Sequence, residues 1–187
     1  MQLNAVVLSL FAAAASAAPT DSSERKFGIM ALRSASPIHF AMAGASQGKL
    51  GFNFPDSKND AQCTDGQKPT AATFTLKDGE LYLYGSDQVQ QIYVDRSGMG
   101  QGVLGYFNKD VSRPPRNGEL SGWSVDENDN LTFDGTPLKA CPGTDNAYYI
   151  WASGADKPAG IEGCLGFSAR TVTKSDAVQC TYSTYSA

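Results

Sequence analysis

Residues 73–84, TFTLKDGELYLY, constrain the fold more tightly than any other part of this chain. Apolar and polar side chains alternate on both sides of Asp78-Gly79, a dipeptide that favours a two-residue type I′ turn. With that turn, Lys77 faces Glu80, Leu76 faces Leu81 and Phe74 faces Leu83. One face of the hairpin is then apolar, while Thr73, Thr75, Tyr82 and Tyr84 share the other. Turn chemistry, register and cross-strand charge agree, as they must in a sequence that specifies one state. Residues 123–133, WSVDENDNLTF, repeat the pattern: a loop of Glu127-Asn128-Asp129 pairs Val125 with Leu131 and Trp123 with Phe133. A third unit starts at Phe27, with FGIMALRS and PIHFAMAG on either side of Ser36-Pro37. Elsewhere, short alternating runs are broken by Gly, Pro, Asn and Asp, and no helical periodicity follows the N-terminal segment. The fold class is therefore all-β. The near-equal intervals from 27 to 74 and from 74 to 123 predict a β-trefoil-like barrel of about 12 short strands. A Greek-key β-sandwich is the alternative, and it explains everything except the spacing.

The 187 residues are 41% hydrophobic and carry a net charge of −4, which suits one compact domain. Without a basic cluster, the chain lacks the electrostatic footprint of a nucleic-acid or anionic-membrane binder. Residues 1–17 read as a secretory signal peptide: an apolar run, AVVLSLFAAAA, ends at the small-residue exit Ala15-Ser16-Ala17. That run is about 11 residues, short of the roughly 20 needed to span a bilayer. Residues 18–26 form a polar, mobile segment, and 27–187 make a single all-β domain. The polar tail carries no lipid-anchor signal. Residues 110–118, with Arg113-Pro114-Pro115-Arg116, read as a rigid exposed loop.

Export also sets the redox chemistry. Cys63, Cys141, Cys164 and Cys180 all follow the signal, and an even count in an exported chain implies two disulfides. Their wide spacing does not fit a zinc site. Residues 163–172 and 178–182 read as neighbouring strands across a turn at Lys174-Ser175-Asp176, so the expected bridges are Cys164–Cys180 and Cys63–Cys141.

Several motifs imitate chemistry. Gly44-Ala45-Ser46-Gln47-Gly48 matches the G-x-S-x-G nucleophile elbow, but that elbow needs a strand-to-helix turn with a histidine downstream. His39 is the only histidine and it precedes Ser46. Gly98-Met99-Gly100-Gln101-Gly102 is rich in glycine but lacks the spacing and following helix of a phosphate cradle. Asp126-Glu127-Asn128-Asp129-Asn130 has alternating oxygen ligands, yet Leu131 and Pro137 stand where a calcium loop needs glycine and glutamate. A glycosidase carboxylate pair leaves no spacing to check, and most acids here sit in turns. The reading is a non-catalytic structural or binding protein, with no metal and no cofactor; a secreted carbohydrate-binding module acting on wall polysaccharide and a secreted hydrolase are the alternatives. Asn130-Leu131-Thr132 is the chain's sole N-glycosylation sequon; with Leu131 inward, Asn130 points outward at a strand entrance.

Further runs carry a family resemblance: Leu81-Tyr82-Leu83-Tyr84, Asp95-Arg96-Ser97-Gly98-Met99-Gly100-Gln101-Gly102, Gly122-Trp123-Ser124-Val125-Asp126, Leu138-Lys139-Ala140-Cys141-Pro142, Ile150-Trp151-Ala152, Pro158-Ala159-Gly160 and Cys164-Leu165-Gly166. Together they resemble the PhiA family of small secreted fungal cell-wall proteins, over nearly the whole mature chain. The resemblance implies a secreted, wall-located protein needed for phialide and conidium (asexual spore) development, with no catalytic residue to carry over. It also implies kinship with IgE-binding allergens. The expected partners are cell-wall polysaccharide (glucan or chitin) or other wall proteins. With so little net charge, attachment should use exposed aromatic rings. Tyr82 and Tyr84, two residues apart on one strand face, are spaced about 7 Å, which suits stacking on successive sugars.

Overall fold

The computed structural model describes residues 25–85 and 87–184; the expected secretory signal and most of the polar segment expected after it lie outside these described residues. The first hairpin forms in the register its sequence dictates. Strand β5 (Phe74–Lys77) pairs with β6 (Glu80–Leu83) through Phe74–Leu83, Thr75–Tyr82, Leu76–Leu81 and Lys77–Glu80. Asp78 and Gly79 both take positive φ, as a type I′ turn requires. The second hairpin, β10 (Trp123–Val125) and β11 (Leu131–Phe133), also has its expected register.

A 12-stranded antiparallel sheet dominates the molecule. Its centre is β1 (Lys26–Leu32), β5, β6, β7 (Gln90–Asp95) and β8 (Val103–Asn108), with β2 (Gly44–Ser46), β3 (Lys49–Phe52) and β9 (Gly118–Glu119) attached at its sides. One end is formed by β12 (Lys139–Pro142), β13 (Tyr148–Trp151) and β14 (Leu165–Gly166), and the other by β15 (Ser168–Thr173). A separate small ladder joins β4 (Gln62–Cys63) to β16 (Cys180–Thr181). No α-helix occurs among the described residues.

The sheet does not close into a barrel, so the trefoil expectation is corrected: the β-sandwich alternative fits. The two terminal strands of the sheet, β14 and β15, are consecutive in sequence but pair with β12 and β1 respectively, not with each other. Only Phe167 separates them, and the chain swings there from one layer to the other, as strands do at sandwich corners. Phe167 is buried and meets Phe52 edge to face at 5.1 Å. The equal spacing of the three hairpin-like units does not reflect a threefold axis. β1 pairs along its length with β15, β5–β6 lies mid-sheet, and β10–β11 is a separate flap. That flap docks through Trp123 N–H to Gly79 O and Thr171 N–H to Asp129 O. The alternating pattern fixes each local hairpin, whereas the partners of each outer edge depend on distant segments.

One apolar core runs through the fold, with Phe27, Phe52, Phe74 and Phe133 among its fully buried side chains. The strand β7 sends Ile92 and Val94 inward with period two, and Gln90 shares their face at 0% exposure. Its amide donates to Tyr182 O at 2.6 Å and accepts Tyr182 N–H at 2.9 Å, so a polar group survives in the core because a passing backbone satisfies it. The C-terminal strap is fixed further by Tyr106 Oη donating to Ser183 O at 2.6 Å and by Ser183 bonding to Asp60.

The disulfide pairing also departs from expectation. The bridges are Cys63–Cys180 and Cys141–Cys164. Residues 168–173 pair with β1 rather than with the C-terminal strand, which instead pairs with β4 and places Cys180 opposite Cys63. Cys141 and Cys164 continue the β12–β14 register by one step beyond Ala140–Leu165. Non-reducing peptide mapping should recover these two links. Replacing Cys63 and Cys180 by serine should destabilise more than replacing the other pair, because they close 117 residues against 23. Loop entropy sets that difference at about 1.4 kcal/mol in chemical denaturation.

Burial raises the Tyr106 hydroxyl well above its ordinary range and pushes Tyr182 up to about 12. Both therefore hold their protons more tightly folded than unfolded. Their contribution to stability is complete below pH 10 and falls as pH rises above it, that of Tyr182 being lost through about pH 12 and that of Tyr106 at higher pH still. Tyrosinate absorbance and unfolding followed together should rise in that window, with exposed tyrosines ionising first.

Candidate functional site

Direct cross-strand partners share a sheet face, so the row Lys26–Thr75–Tyr82–Gln91–Phe107 crosses β1, β5, β6, β7 and β8 on the side away from the main core, where Thr75, Gln91 and Phe107 are themselves buried. Beside this row lies a cleft of about 520 Å³. Thr75, Lys77 and Tyr82 line one side; Asp87, Gln88 and Val89 line the connection to β7; Lys109 and Asp110 close it from the turn after β8. Lys109 N–H donates to Val89 O at 2.8 Å, and Val89 N–H donates to Asp110 Oδ2 at 2.9 Å. These bonds zip the two loops together and hold the wall in place. Tyr82 Oη donates to the Glu80 carboxylate, and the Lys109 ammonium lies 5.7 Å from the Tyr82 ring centre. The site thus combines one aromatic ring with ammonium, carboxylate, amide and hydroxyl groups of both hydrogen-bonding senses.

Tyr84 lies on the same strand face as Tyr82, as the hairpin register dictates, but outside the cleft lining. The Lys26 ammonium stands 4.6 Å over its ring. The two rings are therefore half-buried and differently employed. Lys109 and Asp110 were invisible to sequence reasoning, because the β7–β8 pairing brings them beside Tyr82.

The remaining candidates resolve into structural parts. Ser46 ends β2 at 4% exposure, with its Oγ donating to Lys58 O at 2.6 Å, and a tight turn rather than a helix follows. His39 Nδ1 accepts the Arg33 N–H at 3.1 Å. Asp126 accepts N–H bonds from Asn128 and Asn130, and these bonds hold its carboxyl below the usual range. Its loop is thereby closed by its own backbone. Asn130 is half-buried, with its Nδ2 donating to Asp126 Oδ2 at 3.3 Å, while Leu131 points into the core. Glu119 and Asp134 are carboxylates joined through Arg96, which bonds to both and depresses Glu119.

The glycine-rich run 95–102 is also architecture. Asp95 Oδ1 accepts the Ser97 N–H at 2.9 Å, and Gln101 N–H donates to Ser97 O at 2.8 Å. A Cβ at Gly100 would overlap the Asp95 carboxyl, and one at Gly102, where φ is +97°, would overlap Ala152 O. Close backbone approach, not a phosphate, accounts for these glycines.

The profile of the PhiA-like secreted protein family matches residues 27–183. A cell wall protein phiA of Emericella nidulans is 47% identical over 178 residues, covering 94% of this chain and 95% of its own. The cell wall protein phiA of Aspergillus niger is 40% identical over 185 residues, covering 97% and 98%. That of Arthroderma benhamiae is 41% identical over 145 residues, covering 74% and 77%. No solved structure matches the chain. The match over almost every described strand, with the two disulfides of an exported chain, makes this a secreted cell-wall protein that belongs to the PhiA-like secreted protein family.

Proposed function

We propose that this protein is a non-catalytic wall component that holds glucan or chitin at the Tyr82 cleft and serves phialide and conidium development. The observation that carries the reading is the cleft itself: an aromatic ring set among mixed hydrogen-bonding groups on a braced sheet face. A sugar ring has an apolar face and a rim of hydroxyls, so it suits contact with a tyrosine that has carboxylate and amide groups beside it and the Lys109 ammonium over its ring. Ser46 and His39 are occupied by backbone partners, which favours binding over nucleophilic chemistry. Membership of the PhiA-like family supports the wall location, since relatives are named cell wall protein phiA, and the developmental role is proposed from the family resemblance.

Co-sedimentation of the mature protein with isolated wall material tests the reading. Tyr82→Ala should weaken binding about tenfold, the equivalent of about 1.4 kcal/mol, with a small change in thermal midpoint because the ring lies outside the core. Tyr84→Ala, outside the cleft, should have the smaller effect. The Tyr82→Ala allele in the producing fungus should also lower conidium yield. Undiminished binding by a folded Tyr82→Ala protein would refute the site.

Asn130 is the proposed glycan attachment point, with Asp126 orienting its Nδ2 in the unmodified protein. Enzymatic deglycosylation should lower the mass of the secreted protein, and Asn130→Gln should remove that difference. An unchanged mass rejects the assignment.

A further inference from the structure

Building on the reading of the Tyr82 cleft as a polysaccharide site, we infer that its ligand is a neutral, linear polysaccharide gripped along its length across three adjoining depressions. Asp87 and Gln88 line the cleft and also a second depression of about 290 Å³, completed by Gln62, Cys63, Thr64 and Thr181. Cys63 is bonded to Cys180, which lines a third depression of about 150 Å³ together with Asp65, Thr73, Lys174 and Asp176. Shared residues join the first two hollows, and one disulfide stands between the second and third. A chain end is best held in one enclosed pocket, whereas a succession of surface hollows suits the interior of a polymer.

The charges specify the class of polymer. Lys77 and Lys109 oppose Asp87 and Asp110 in the first hollow, and Lys174 opposes Asp65 and Asp176 in the third. Amines and carboxylates are intermixed in the first and third hollows, and the second holds one carboxylate, so neither a polyanion nor a polycation meets a surface of the opposite charge. Neutral hydroxyls, by contrast, find donors and acceptors throughout, including the Gln62, Gln88, Thr64 and Thr181 side chains. The path is also built in advance. Thr64 N–H donates to Gln179 O and Cys180 N–H to Tyr84 O, both at 3.0 Å, so little ordering remains to be done on binding.

Calorimetry with β-glucan and chitin oligosaccharides, from disaccharide to hexasaccharide, tests this. Affinity for one series should rise about tenfold or more with length. Thr64→Arg, which fills the second hollow from an exposed position, should abolish the gain with length. Equal affinity for disaccharide and hexasaccharide, or a length dependence that survives in folded Thr64→Arg protein, would overturn the extended groove. Tighter binding of a carboxylated or sulfated polysaccharide than of any neutral one would overturn the neutral class. If no neutral oligosaccharide binds while Tyr82→Ala still weakens wall binding, the inference falls and the cleft stands. If Tyr82→Ala is also without effect, both fall.

Discussion

The C-terminal strap is the constraint on which the two layers depend. Residues 179–183 have no long strand partner, yet they touch β4, β7, β8, the β2–β3 turn and Tyr84 just beyond β6. The Cys63–Cys180 bridge fixes one end, the Gln90 amide pinches the backbone of Tyr182, and Ser183 O receives both Tyr106 Oη and Gly48 N–H. A buried amide without its backbone partners costs far more than the bonds themselves contribute. Gln90 therefore acts as a specificity device: any arrangement that displaces the strap leaves a polar group stranded in the apolar core.

The same strap ties fold to surface. Its outer edge supplies Thr181 and Cys180 to the hollows that continue the Tyr82 cleft. The period of two along β7 divides the work: Gln90, Ile92 and Val94 face the main core, while Gln91, also buried, and half-buried Tyr93 take the opposite face. Function is thereby placed on a surface whose backbone the core already holds rigid.

The resemblance-bearing run 95–102 shows how sequence prominence and function separate. Gly100 and Gly102 admit the Asp95 carboxyl and the Ala152 carbonyl, and Arg96 ties the end of β7 to Glu119 and Asp134. These residues brace the sheet; the candidate ligand residues are ordinary lysines, aspartates and a tyrosine. Such residue types are legible as a site only when their positions in space are known.

The sequence by itself determined what is local: the all-β class, both hairpin registers, the Asp78-Gly79 turn, the inward path of Leu131, and the two-tyrosine face of β6. It did so because a strand's side-chain period and a two-residue turn leave one register that buries every apolar residue. The tertiary structure alone decided what is distant. An open sandwich, not a barrel, follows from the pairing of β15 with β1 and the corner at Phe167. Cys180 lies opposite Cys63 because the strap crosses to β4, and Lys109 reaches Tyr82 because β7 intervenes between β6 and β8. Spacing along the chain carries no information about such pairings: loop closure costs grow only slowly with length, so the best-packed partner wins over the nearest one.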